Sequence, residues 1–158
     1  MNYTAHLRNS GQNIPISLTI KSTGDPMNVQ WYVDGLGTGV FSISAKAQES
    51  GTKVAIRTPQ DDDITKLKDD ETFVTVSKAI YTSMAANQPF ELNGIKFNVV
   101  ANDTTVYKIN NKIAPVLHAT SANGKGQLWV LNNPDFPLIC GEMMIAKGID
   151  LTLMSVKE

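Results

Sequence analysis

A single cysteine, Cys140, in a chain of 158 residues excludes an internal disulfide and a cysteine-built zinc site, and it suits a reducing compartment. Charge is scarce as well. Asp, Glu, Lys and Arg make up 18% of the residues and the net charge is −1, against roughly 25% charged residues in an average globular chain. The basic residues are scattered rather than gathered in a stripe, so no field draws in a polyanion and nucleic acid is not an expected partner. No run approaches the roughly 20 apolar residues of a membrane-spanning helix, so no membrane span is expected. The segment 1–8 alternates polar and apolar residues, unlike a signal peptide. As it stands the chain reads as cytoplasmic. Its low charge and Asn- and Thr-rich strands are equally the composition of exported bacterial β-proteins, an extracytoplasmic reading that needs a leader removed ahead of Met1.

The signatures of cofactor, metal and catalytic chemistry are missing too. Gly35-Leu36-Gly37-Thr38-Gly39 is rich in glycine, yet a dinucleotide fingerprint needs glycine where Val40 stands, and a Gly-Lys-Ser/Thr ending is missing. The glycines lead directly into Val40-Phe41-Ser42-Ile43, a β-type run, so they are read as a hairpin or bulge and no cofactor is expected. Asp61, Asp62, Asp63, Asp69, Asp70 and Glu71 supply oxygen ligands, but Lys66 replaces the glycine of a calcium loop and Thr72 its last glutamate. They are read as solvated carboxylates ahead of a helix, and no metal is expected. The two histidines, His6 and His118, have no metal-binding partner at short spacing. A triad assembled in space from His118, Cys140 and an acidic residue is the one hydrolase reading left, since triads are set by geometry and not by chain order. Against it, Cys140 lies in the apolar run Leu138-Ile139-Cys140, the setting of a buried thiol. Glu142, just beyond that run, has no identifiable second carboxylate and is expected to face outward from a strand.

What the chain has in abundance is alternation. Tyr3, Ala5 and Leu7 oppose Thr4, His6 and Arg8; Ile14, Ile16, Leu18 and Ile20 oppose Ser17, Thr19 and Lys21. This period of two belongs to half-buried strands, and Ser10 to Asn13 is a polar hairpin connection between them. The same pattern continues through Val29, Trp31 and Val33, then Val40 to Ala47, then Lys53 to Arg57, before a polar, acidic connection from Pro59 to Glu71. In the second half Asn93-Gly94, Asn110-Asn111 and Asn123-Gly124 separate β-type runs, and Asn-Gly suits the positive φ of a type I′ turn. Gly148 divides Leu138 to Ala146 from the last run, Ile149 onward. Only Val76 to Ala86 carries three- and four-residue apolar spacing, which predicts one short helix near residues 77–87, capped by Ser77 or Thr75 and stopped by Pro89.

No repeat or flexible linker divides the chain, so a single β domain over residues 1–158 is expected. Its class is all-β: an antiparallel up-and-down meander closed as a barrel or packed as a two-sheet sandwich. The leading functional expectation is a non-catalytic binding or structural domain holding a small apolar or amphipathic ligand in a barrel or between sheets. The alternatives are a carbohydrate- or surface-binding module using exposed aromatics, and a hydrolase using His118 with Cys140 or an acidic residue. Trp31, Tyr32 and Trp129 are the candidate ligand-binding residues. Trp31 and Tyr32 point to opposite faces of one strand, and Trp129 opposes the face of Leu128 and Val130. The expected partner is a small molecule or another protein. Oligomeric state stays undetermined at this level, because terminal strands are potential sheet edges; if the two ends pair with each other, a barrel closes.

Overall fold

The structure, a computed structural model, describes residues 1–55 and 63–157. The chain runs through β1 (Asn2–Leu7), β2 (Gln12–Ser22), β3 (Met27–Val33), β4 (Gly37–Ile43), α1 (Ala45–Ser50), β5 (Lys53–Val54), β6 (Ile64–Lys66), β7 (Glu71–Thr72) and α2 (Lys78–Ala85). It continues through β8 (Phe90–Leu92), β9 (Ile95–Val99), β10 (Lys108–Ile109), β11 (Lys112–Ile113), β12 (Val116–Ser121), β13 (Gln127–Leu131), β14 (Ile139–Ala146) and β15 (Ile149–Ser155). The molecule is mostly β and mostly antiparallel, as the alternation implies.

Eleven of these strands form one sheet in the order β6-β4-β3-β2-β1-β15-β14-β13-β12-β9-β8. Two antiparallel meanders, β4 to β1 and β15 to β12, meet where the first and last strands pair, with Ala5 opposite Leu151 and Leu7 opposite Ile149. The terminal strands do pair, yet the barrel expectation is corrected: among the described residues the sheet is open, with β6 and β8 as its unjoined edges. Strands from the middle of the chain end the sheet, so pairing of the termini makes a seam and not a closure. The eleven strands are also continuous rather than split into two main sheets, the remaining described strands forming two-stranded ladders β10-β11 and β5-β7.

Turn chemistry sets the hairpins. Asn93 and Gly94 have φ of 53° and 74°, and Asn110 and Asn111 have 54° and 59°, the double positive φ of a type I′ turn between β8 and β9 and between β10 and β11. In the meanders, period-two burial follows the sequence: Val29, Trp31 and Val33 are buried while Tyr32 is exposed. The predicted helix is α2, whose Ser77 hydroxyl accepts from the Ile80 amide at 3.4 Å and whose Ile80 and Met84 are buried. A second helix, α1, begins at Ala45, inside the end of the run Val40 to Ala47 read as a strand, and continues to Ser50. Ser44 caps it by accepting from the Ala47 amide at 3.2 Å, and its connection lets β6 run parallel to β4. β5 and β7 are likewise parallel, so the antiparallel rule has two exceptions among the described strands. The continuation of a strand to Arg57, and Asp61 and Asp62 of the acidic run, fall outside the described residues.

The inner face of the sheet carries two apolar clusters. Val29, Ile43, Phe41 and Leu153 belong to one, with Ala47 of α1. Phe97, Leu92, Leu128 and Val130 belong to the other, under Ile80 and Met84 of α2.

Candidate functional site

The first cluster does not fill its own space. A cavity of about 310 Å³ lies on the inner face of the first meander and β15. β1 contributes Tyr3, Ala5 and Leu7, β2 contributes Ile14, Ile16 and Leu18, and β3 contributes Trp31 and Val33. Ile149 and Leu151 of β15, Phe41 of β4, Phe73 and Leu36 complete it. The strand residues are present because each falls on the inward phase of its strand. Turns 8–11, 34–36 and 147–148 gather at one end of this sheet, where the Arg8 amide donates to Gly148 O at 2.9 Å. Leu36 lies in the middle turn, lines the cavity and is 46% exposed, so the space opens at that rim. The wall is almost wholly hydrocarbon. Tyr3 hydroxyl is already committed, donating to Ile139 O at 2.7 Å, and burial raises its pKa well above the usual value. Water inside would find few partners, and apolar cavities of this kind accept apolar ligands instead.

Filled by groups of about 30 Å³ each, the liquid volume of one water, the space holds roughly ten heavy atoms. Sequence reasoning marked Trp31 as a candidate, and it lies in this wall, 2% exposed. The other lining residues were read only as core; nothing in a strand pattern distinguishes a filled interior from a hollow one.

Glu142 overturns its expected orientation. It is fully buried, and neither carboxyl oxygen has a hydrogen-bond partner among the described residues. Two irregularities turn it inward. Trp129 pairs with Gly141 and Val130 with Ile139, leaving Cys140 as an extra residue that inverts the alternation after Ile139. Beyond it, Glu142 pairs with Leu151 and Ala146 with Ile149, so the stretch between bulges out, with Met144 at φ 57°. Arg8 fastens this second bulge: its guanidinium donates to Ala146 O at 2.6 Å, to Ile149 O at 3.2 Å and to Asp150. Asp150 also accepts from the Met144 amide at 2.8 Å. Burial pushes the Glu142 carboxyl up to about 8, Asp150 adding to the rise and Arg8 opposing it.

The opposite face of β13 holds an aromatic group, of which Trp129 and Tyr107 pack against the first cluster. Trp129 is half-buried, His118 stacks on it with centroids 4.7 Å apart, and Tyr107 tilts over it at 6.1 Å. Gly141 sits beneath, where a Cβ would come within 2.9 Å of Tyr107 Oη and 3.2 Å of Trp129 Cε3. Tyr107 hydroxyl donates to Cys140 O. Trp129 Nε1 is buried without a partner among the described residues. His118 Nδ1 contacts Asp103 Oδ2 at 2.7 Å and Nε2 contacts Gln127 Oε1 at 2.6 Å. Bonds from Thr105, first of all, and then His118 hold the Asp103 carboxyl below its usual range.

Cys140 and His118 are not brought together. The thiol lies in the first cluster, donates weakly to Leu138 O at 3.6 Å, and is pushed up to about 12 by burial. Tyr32, on the outer face, is 51% exposed and its hydroxyl reaches Asp34 at 3.4 Å. Among the described residues no three His, Cys, Asp or Glu side chains gather as a metal site, and no helix is long and apolar enough to cross a membrane.

Fold and cavity together define an open, mainly antiparallel β-sheet protein with an apolar hollow on its inner face. Compared with known proteins, the chain matches no family model, no curated protein and no solved structure.

Proposed function

We propose that residues 1–158 act as a single β domain that binds a small apolar or amphipathic molecule in the cavity of the first meander, without transforming it. The observation that carries this reading is the hollow itself, a hydrocarbon-lined space of about 310 Å³ opening at a rim. That is the lower end of the size range of small-molecule sites, about 300 to 1,000 Å³. Burying roughly ten methylene-sized groups at about 0.8 kcal/mol each yields about 8 kcal/mol. Association costs of about 4 kcal/mol or more leave at most about 4 kcal/mol, an affinity of about a millimolar or weaker.

Titration with 1-bromooctane tests the reading, because a bromine atom quenches an indole it touches and Trp31 is in the wall. The expected result is quenching that saturates at one molecule per chain and is lost in Ala5→Phe. Quenching that rises linearly without saturation sinks the reading.

A surface- or carbohydrate-binding module is the second reading, and the exposure of Tyr32 beside Asp34, Ser17 and Thr38 favours it. Trp129 contributes less to it, since His118 and Tyr107 cover its ring. A hydrolase built on His118 has the Asp103 contact in its favour, while Gln127 occupies the other ring nitrogen.

A further inference from the structure

The inner face offers one chemically distinct group beside the cavity. Across the sheet the registers place Leu128, Glu142, Leu151, Ala5 and Ile14 in a single row. Ala5, Ile14 and Leu151 line the hollow, and Glu142 is the next side chain along, about 5 Å from Leu151 in Cα spacing. No described residue bonds to that carboxyl. Arg8 and Asp150 are bonded to each other and to the bulge, and Tyr3 hydroxyl is spent on Ile139. Native proteins pair nearly all buried polar groups. Two consecutive departures from regular strand pairing are what aim this one inward, and bulges commonly re-aim a side chain at a functional site.

We propose that the ligand of the cavity is an aliphatic alcohol: its hydrocarbon body fills the hollow and its neutral hydroxyl bonds to the Glu142 carboxyl, with Leu151 moving aside. This rests on the cavity reading above and specifies the head group. Because burial holds the carboxyl protonated near neutrality, it both donates and accepts, which matches a hydroxyl that does the same. A carboxylate head would bring an anion into hydrocarbon, and an ammonium head would need two charges stripped of water.

Calorimetric titration of the full chain with octan-1-ol and with 1-fluorooctane, a molecule of similar shape lacking the hydroxyl, tests this. Glu142→Met is expected to weaken octan-1-ol about tenfold, equivalent to about 1.4 kcal/mol, and to leave 1-fluorooctane unchanged. Glu142→Gln, whose amide donates and accepts, is expected to keep the octan-1-ol affinity within about twofold. Infrared difference spectra of the unsubstituted protein provide a reading independent of variant folding: the protonated carboxyl band moves to lower frequency with octan-1-ol and stays still with 1-fluorooctane. Equal effects of the substitution on both ligands, or a carboxyl band indifferent to octan-1-ol, overturn the head-group assignment while leaving the cavity reading standing. Failure of both ligands to bind overturns the two together.

Discussion

Glu142 makes the stability of this protein depend on pH in a calculable way. Its carboxyl titrates near 8 when folded and near 4.5 when exposed in the unfolded chain. Below pH 4.5 both states hold the proton and folding is not penalised. Between 4.5 and 8 the unfolded chain has released the proton while the folded one retains it, so stability falls as pH rises. The slope is about 1.4 kcal/mol per pH unit, and over the whole window the loss is about 5 kcal/mol. That is a large share of the roughly 5 to 15 kcal/mol that holds a typical domain together. Glu142→Gln removes the titration while preserving shape. Urea unfolding of both proteins, followed by tryptophan fluorescence from about pH 5 to 9, isolates the effect as a difference. Tyr3 and Cys140, also near Glu142, keep their protons through this range because burial raises both. The Arg8 and Asp150 pair is common to both proteins and cancels. From pH 5 to 7 the unsubstituted protein is expected to lose about 2.7 kcal/mol relative to the variant, the difference flattening above about pH 8. Parallel pH profiles refute the reasoning and mean that the carboxyl finds a partner or water in solution.

Filling the hollow from its floor, Ala5→Leu is expected to raise stability by about 1 kcal/mol and to weaken 1-bromooctane binding at least tenfold, read by thermal unfolding and quenching. Gly141→Ala places a methyl group against Tyr107 and Trp129 and is expected to cost about 1 to 3 kcal/mol by overpacking, measured by urea unfolding. Removing the cap of α2 with Ser77→Ala is expected to cost about 1 kcal/mol in the same assay. The Cys140 thiol, fully buried and titrating near 12, is expected to react with a disulfide reagent at about pH 8 only as fast as the protein unfolds; prompt reaction of the native protein contradicts its placement.

The strands were legible where one face is buried and the other wet. Tyr3, Ala5 and Leu7 against Thr4 and His6 announced β1, and Asn93-Gly94 announced the hairpin of β8 and β9, because those features arise from neighbours in sequence. α1 escaped notice because six residues are too few to show a helical period, and its cap, Ser44, stands inside what looks like a continuing strand. β6 was hidden in an acidic connection, since a three-residue strand with exposed Ile64 and Lys66 has no alternation to display. Closure was misjudged for a different reason. Which strands end a sheet depends on long-range pairing, and the edges here come from mid-chain. Glu142 was misread from its chemistry: a lone acid just beyond an apolar run is expected outward, and only the register, in which Cys140 is an extra residue opposite β13, sets it on the face of Leu128 and Leu151. The cavity was invisible for the most general reason, that packing density is a property of the whole interior and not of any segment.

The seam between β1 and β15 also sets a timetable. At synthesis rates of about 5 to 20 residues per second, the last strand follows the first by roughly 8 to 30 seconds. Throughout that interval β1 stands at the rim of a half-built meander with its free backbone groups unpaired, on the very strand that supplies Tyr3, Ala5 and Leu7. The nascent chain therefore shows a sticky flank to its surroundings until β15 emerges, and the docking of that one strand withdraws it in a single step.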